Sequence, residues 1–222
     1  EIELMKNETT NFYRSIAFGT AISIALLFRY GKTGLQQFKG IGLQGVWAAM
    51  LLACASISFL QAITNTTVAA TTFTLSSIPF LTAIMAWLFL GERIGKSTVF
   101  TMLVAAIGIS LMFVQGLGSG TLFGNFMAFL CAIGFSSYAI IIRRNRRTEM
   151  LPTLILSNLI IVFVALIFRW DNLLISWSDL LLCFVLGGVL SATVNTLFII
   201  ASKHLFAAEL TLFMLLEFTL GP

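Results

Sequence analysis

The chain has 222 residues, 59% of them apolar and 10% charged, with a mean hydropathy of +1.00. A soluble domain carries about a quarter charged residues, and disorder needs low hydropathy with high net charge, so the composition excludes both. The formal charge of +4 does not indicate nucleic acid, because the basic residues stand between apolar runs instead of forming a patch.

The first apolar segment, 11–28, is interrupted only by Arg14 near its start. Residues 40–91 carry no charge at all. That is too long for one span and right for two, 42–63 and 68–90, with Thr64-Asn65-Thr66-Thr67 as the turn. Residues 97–142 repeat the double length around Gly116-Leu117-Gly118-Ser119-Gly120, predicting spans at 97–115 and 122–142. Segments 152–168, 180–202 and 205–222 bring the total to eight. All are continuously apolar rather than alternating, and at 17–23 residues they fit helices and not barrel strands. The expected fold is an all-α integral membrane bundle.

Ten of the thirteen Lys and Arg residues fall in alternate connections: Arg29, Lys32 and Lys39; Arg93 and Lys96; Arg143, Arg144, Arg146 and Arg147; and Lys203. The positive-inside rule makes those loops cytoplasmic. A repeat is also visible, with Phe59-Leu60-Gln61-Ala62 aligning on Phe198-Ile199-Ile200-Ala201 at an offset of 139 residues. The offset places an outward segment of the first copy on an inward segment of the second. An odd number of spans per copy produces that inversion, so five spans per half and ten in a parent protein are expected. The halves divide as 1–115 and 116–222. The chain starts at Glu1 and stops at Pro222 within an apolar run, which suggests a fragment lacking the first span and the end of the second repeat.

Ser76-Ser77-Ile78-Pro79-Phe80-Leu81-Thr82-Ala83-Ile84-Met85-Ala86-Trp87-Leu88-Phe89-Leu90-Gly91-Glu92-Arg93 resembles the Pro-containing fourth span of the EamA type of the drug/metabolite transporter superfamily. Gly108-Ile109-Ser110-Leu111 resembles the family's fifth span, and Leu215-Leu216-Glu217-Phe218 stands where its second repeat reads Leu-Leu-Glu-Pro. Phe218 departs from that pattern at the repeat position of Pro79. The resemblance implies a ten-helix inverted-repeat carrier, commonly an exporter of amino acids or other small metabolites, in the plasma membrane (the inner membrane of a bacterium).

Cys54, Ser58, Gln61 and Asn65 recur at three-to-four-residue spacing and form a polar stripe suited to a cavity or to interhelical hydrogen bonds. Ser191 and Asn195 form a second such pair, and Tyr138 and Asn158 are further cavity candidates. Gly187, Gly188 and Ser191, like Gly19 and Ser23, suit close helix approach. Pro79 removes a backbone bond and should bend its helix. Glu217 lies about 18 Å into the ninth span, counted from Leu205, near the bilayer middle. It is a candidate for substrate recognition or proton coupling, with Arg14 as an ion-pair partner; a protonated, hydrogen-bonded structural acid is the alternative. Glu209 ranks lower, because it can reach interfacial water. Trp47, Trp170 and Trp177 read as interfacial anchors, and the Arg143–Arg147 stretch as a topology anchor. Glu92 with Arg93 is expected to form an ion pair. The three cysteines, Cys54, Cys131 and Cys183, read as buried packing residues, and His204 has no partner at metal-ligand spacing.

These features favour a secondary carrier working by alternating access on a small-molecule substrate. No cofactor, metal, catalytic residue or nucleic-acid partner is implied, and oligomeric state is left open. A channel and a non-transporting membrane scaffold remain alternatives; an intramembrane enzyme would need a cluster of His, Asp or Glu that the spans do not supply.

Overall fold

The computed structural model describes residues 2–31, 37–38, 40–92, 95–96, 98–100, 102–104, 107, 121–168 and 176–220; for 2–11, 29, 168 and 214–220 it describes the backbone alone. Among these residues there is helix and no strand. The chain runs through α1 (Ile2–Tyr30), α2 (Gly42–Asn65), α3 (Val68–Leu75), α4 (Ile78–Met85), a π-helical stretch (Ala86–Leu90), α5 (Leu122–Arg144), α6 (Leu151–Phe168), α7 (Trp177–Cys183), a second π-helical stretch (Phe184–Ser191), α8 (Ala192–Ser202) and α9 (Ala207–Leu220). Among the described residues four runs are long and apolar enough to cross a membrane: Gly42–Asn65, Val68–Leu90, Leu122–Arg144 and Trp177–Ser202. Phe12–Phe28 and Leu151–Ile167 are shorter apolar helices. The protein is a helical membrane protein.

The expected segments are recovered with differences in extent and winding. The apolar helix Phe12–Phe28 matches the expected 11–28 segment, and α1 extends back to Ile2, because hydropathy marks where a helix enters hydrocarbon, not where its hydrogen bonding begins. Glu, Leu, Met and Lys at its start are good helix formers. The 68–90 run is one 23-residue apolar span, as expected. Its α-helical winding changes at Ser76 and Ser77, both still right-handed in backbone, with Pro79 in the first turn of α4, and it passes into the π-helical stretch after Met85. The 180–202 run starts at Trp177 and is π-helical in its middle. Of the predicted 97–115 span, residues 98–100, 102–104 and 107 are helical, and the glycine-rich break at 116–120 lies outside the described residues.

Local chemistry sets the helix ends. Thr67 caps α3 by accepting the Ala70 N–H at 3.1 Å, and Thr121 caps α5 by accepting that of Gly124 at 3.2 Å. The stretch Ala86–Leu90 closes on Gly91, whose φ of +66° is left-handed and suits glycine.

The chain divides into two compact units. One comprises Glu1–Ala53 and Arg146–Ile200, the other Cys54–Asn145 and Ala201–Pro222. In the first, α1 packs on α6 and on the run from α7 into its π-helical continuation. Ser15, Phe18, Ile22 and Leu26 form its buried stripe at helical spacing, while Ile24, Leu27 and Phe28 are exposed and suit lipid. Small residues bring the backbones together: a Cβ on Gly187 would stand 2.5 Å from the Arg14 carbonyl oxygen, and one on Gly188 3.4 Å from that of Ala17. In the second unit, α3 and α4 lie along α5, and α9 packs on α4. Ala55, Leu75, Ile78, Cys131 and Ala132 make one buried cluster there, and Ala83, Met102 and Ala208 another.

The glycine geometry grades two substitutions. Gly187→Leu drives a side chain into backbone and should cost about 1–3 kcal/mol, the usual range for overpacking. Gly188→Ala meets only ordinary contact and should be near neutral. Thermal unfolding of the detergent-solubilised protein checks this; equal melting temperatures for the two variants would refute the close approach.

Candidate functional site

The interruption between α3 and α4 puts polar backbone where a continuous helix would hide it. Pro79 has no N–H to give, so the turn before it loses a bond. Hydroxyls gather around the gap: Ser76 donates to the Phe73 carbonyl at 2.5 Å and Ser77 to that of Thr74 at 2.6 Å. From α5, Ser136 donates to the Ile78 carbonyl at 3.3 Å. Thr82, one turn further along α4, is fully buried, and among the described residues nothing bonds to its hydroxyl. Ala55 and Phe59 of α2 pack onto Leu75 and Ile78, and at 100° per residue Gln61 lies on the other side of α2 from that contact.

Within that stripe Ser58 is buried, Gln61 and Asn65 are half-buried, and Cys54 is exposed. The exposed Cys54 corrects the expectation that all three cysteines are buried; Cys131 and Cys183 are. The Asn65 amide donates to the Gln61 carbonyl at 2.8 Å and to its Oε1 at 3.3 Å. Among the described residues no acceptor engages the Gln61 amide N–H groups.

The other candidates divide by environment. Tyr138 is fully buried, its ring 5.7 Å from that of Phe135. Asn158 is buried facing Gly19 and spends its amide on the Leu154 carbonyl at 2.7 Å. Ser191 donates to the Leu186 carbonyl five residues back at 2.8 Å, and Asn195 donates to the Ser191 carbonyl at 3.0 Å. The first of these follows from the π-helical winding. The Glu217 side chain and Trp170 lie outside the described residues, so the suggested Arg14–Glu217 pair does too. Trp47 and Trp177 are exposed, as anchors require. Among the described residues no three His, Cys, Asp or Glu side chains converge as metal ligands.

The sequence reading missed the strongest polar cluster. Arg143, expected as part of a topology anchor, has only 5% of its side chain exposed. Its Nε donates to Glu92 Oε1 at 2.8 Å and its Nη1 to the Ser202 carbonyl at 2.9 Å, with Phe206 5.5 Å away across the ring face. The other Glu92 oxygen accepts the Ala207 N–H at 3.2 Å and so caps α9, which Glu209 assists by accepting the Phe206 N–H at 3.3 Å. Glu92 therefore pairs with Arg143, fifty-one residues away, whereas Arg93 lies outside the described residues. The left-handed Gly91 turns the chain so that the carboxylate reaches both partners. The available signal was that Glu92 and Arg143 are each the first charge after a long apolar run. At the opposite end of α5, the Thr121 hydroxyl donates to the Asn65 carbonyl and the Thr66 hydroxyl to Asn125 Oδ1 at 3.0 Å.

Residues 3–114 match the family described as EamA-like transporter family. No curated protein matches the chain. Among solved structures, a crystal structure of a protein with 18% sequence identity matches at a TM-score of 0.76, covering 95% of this chain and 75% of that one. At that identity the likeness speaks for the fold alone.

The Arg143 network predicts an asymmetric mutational response. Glu92→Ala or Arg143→Ala strands a buried charge and should destabilise by about 3–5 kcal/mol, while the double variant Glu92→Gln with Arg143→Met should lose much less. Thermal unfolding of the single and double variants decides it, and additive losses would show that the pair is not coupled.

Proposed function

The chain belongs to the EamA-like transporter family, a family of membrane transporters within the drug/metabolite superfamily, and from that premise we propose that it is a secondary carrier exporting small polar metabolites such as amino acids. It works by alternating access in the plasma membrane and performs no covalent chemistry. The halves 1–115 and 116–222 act as inverted repeats; the family match over residues 3–114 supports the first of them. The basic loops face the cytoplasm, as their Lys and Arg content favours.

The observation that carries this reading is the interrupted span between Leu75 and Ile78. Broken helices recur at substrate sites in carriers, because irregular backbone is tolerated at membrane depth only where protein or a water-filled cavity covers it. Here the buried Thr82 hydroxyl lies one turn beyond the break. Gln61 contributes free amide donors to a passing solute, and Asn65 holds the Gln61 side chain in place. Asn195, Ser191, Asn158 and Tyr138 are further candidates for contact with the solute, each within its own unit. Glu217 is the acid for recognition or proton coupling.

Saturable, substrate-dependent flux in proteoliposomes tests the carrier reading, using an amino-acid mixture on one side. Gln61→Ala and Asn195→Ala should each reduce the rate or raise the half-saturation concentration. Flux without saturation would point to a channel, and absence of flux to a scaffold.

Orientation has its own test. In a variant with Cys54, Cys131 and Cys183 replaced by alanine, single cysteines at Lys32 and Asn145 should resist an impermeant thiol reagent in intact cells. One at Ser119 should react. The reverse pattern would invert the topology.

A further inference from the structure

We propose that Arg14 receives an anionic group, a carboxylate or a phosphate, in a slot floored by Gly187, and that this group belongs to the transported solute. The second half of the statement rests on the carrier reading above.

Position comes first. Hydropathy alone puts Arg14 at the edge of its span. The structure sets it on α1 twelve residues after Ile2 and level with Gly187 of the neighbouring helix. Gly187 lies seven residues beyond Leu180, where the apolar run of its own span begins, or about 10 Å down at 1.5 Å per residue. Arg14 is therefore inside the hydrocarbon layer.

Its side chain is held there. Cγ stands 2.7 Å from the point that a Cβ on Gly187 would occupy, so the stem lies across bare backbone. The residue is half-buried. A guanidinium has five N–H donors and no acceptor, yet among the described residues no hydrogen bond or ion pair engages that of Arg14. Asp179, on the helix that carries Gly187, is eight residues further out, about 12 Å along the axis.

The contrast with Arg143 is informative. That arginine, which holds helix ends together, has a carboxylate, a carbonyl and an aromatic face around it. Arg14 is pinned along its stem, and among the described residues Cys183 lies close enough for its thiol to interact with the Arg14 charge, while no hydrogen bond or ion pair holds the head. An unneutralised cation at this depth is retained where an anion or water meets it. The planar fork of a guanidinium matches the two oxygens of a carboxylate or phosphate. A solute bearing such a group, zwitterionic amino acids included, fits; a lipid headgroup phosphate presents the same chemistry from another source.

The test uses the full chain in an uncharged detergent, with succinate and inorganic phosphate as probes at constant ionic strength. Wild type should show a saturable rise in melting temperature with at least one probe. Arg14→Ala and Arg14→Gln should abolish it, and Arg14→Lys should weaken apparent affinity about tenfold, the loss expected from a broken bidentate pair. An equal shift in Arg14→Gln, or no saturable shift in wild type with either probe, would overturn the anion site. Nanodiscs separate the sources. If phosphatidylglycerol stabilises wild type but not Arg14→Gln, and neither probe competes with it, the solute assignment falls. Anion binding without flux in proteoliposomes would leave the site standing and remove the carrier reading. Unchanged amino-acid flux in Arg14→Gln would do the opposite.

Discussion

In hydrocarbon no water is available to take up a backbone amide or carbonyl, and each one left alone costs several kcal/mol. In this chain hydroxyl and carboxylate side chains gather on backbone groups where the winding changes or a helix begins. The gap before Pro79 is lined by Ser76, Ser77 and Ser136. The π-helical stretch Phe184–Ser191 ends with the Ser191 hydroxyl on the Leu186 carbonyl. Where a helix begins, Thr67, Thr121 and Glu92 supply acceptors for its first amides. Hydroxyl residues thus allow a nearly all-apolar chain to carry irregular backbone without exposing it to lipid.

The same constraint explains why two arginines of one chain behave so differently. Arg143 closes the end of α5 against Glu92 and the Ser202 carbonyl, and its charge is spent on structure. Gly91 is indispensable to that arrangement, since its left-handed conformation brings Glu92 back onto α5 and the start of α9. In the other unit Gly187 admits the stem of Arg14. Glycine in both cases determines where a charged group can lie. In the first it does so by backbone conformation, and in the second by absence of a side chain.

The polar face of α2 was legible because period 3.6 alone places Ser58, Gln61 and Asn65 together. Its neighbour, the broken span, was half legible. Proline announces a lost bond, but Ser136, which bonds the Ile78 carbonyl beside it, comes from α5, and helix periodicity carries no information about residues fifty-eight positions apart. Tyr138 and Asn158 show the reverse problem. Both are polar residues in apolar runs, and only packing reveals that one is enclosed beside Phe135 and the other bonded within its own helix.

Composition and apolar run length determined that this chain is a helical membrane protein, because the bilayer sets both the length and the polarity of whatever crosses it. Charge spacing and the Leu90-Gly91-Glu92 ending supported the family reading, since both are local patterns. Tertiary structure alone decided that Glu92 answers Arg143, that Cys54 is exposed, and that α1 reaches back to Ile2 and sets Arg14 level with Gly187. Each of these depends on which helix lies beside which, and at what height. Sequence periodicity fixes the face a residue occupies on its own helix, but the neighbour that meets that face is chosen by packing.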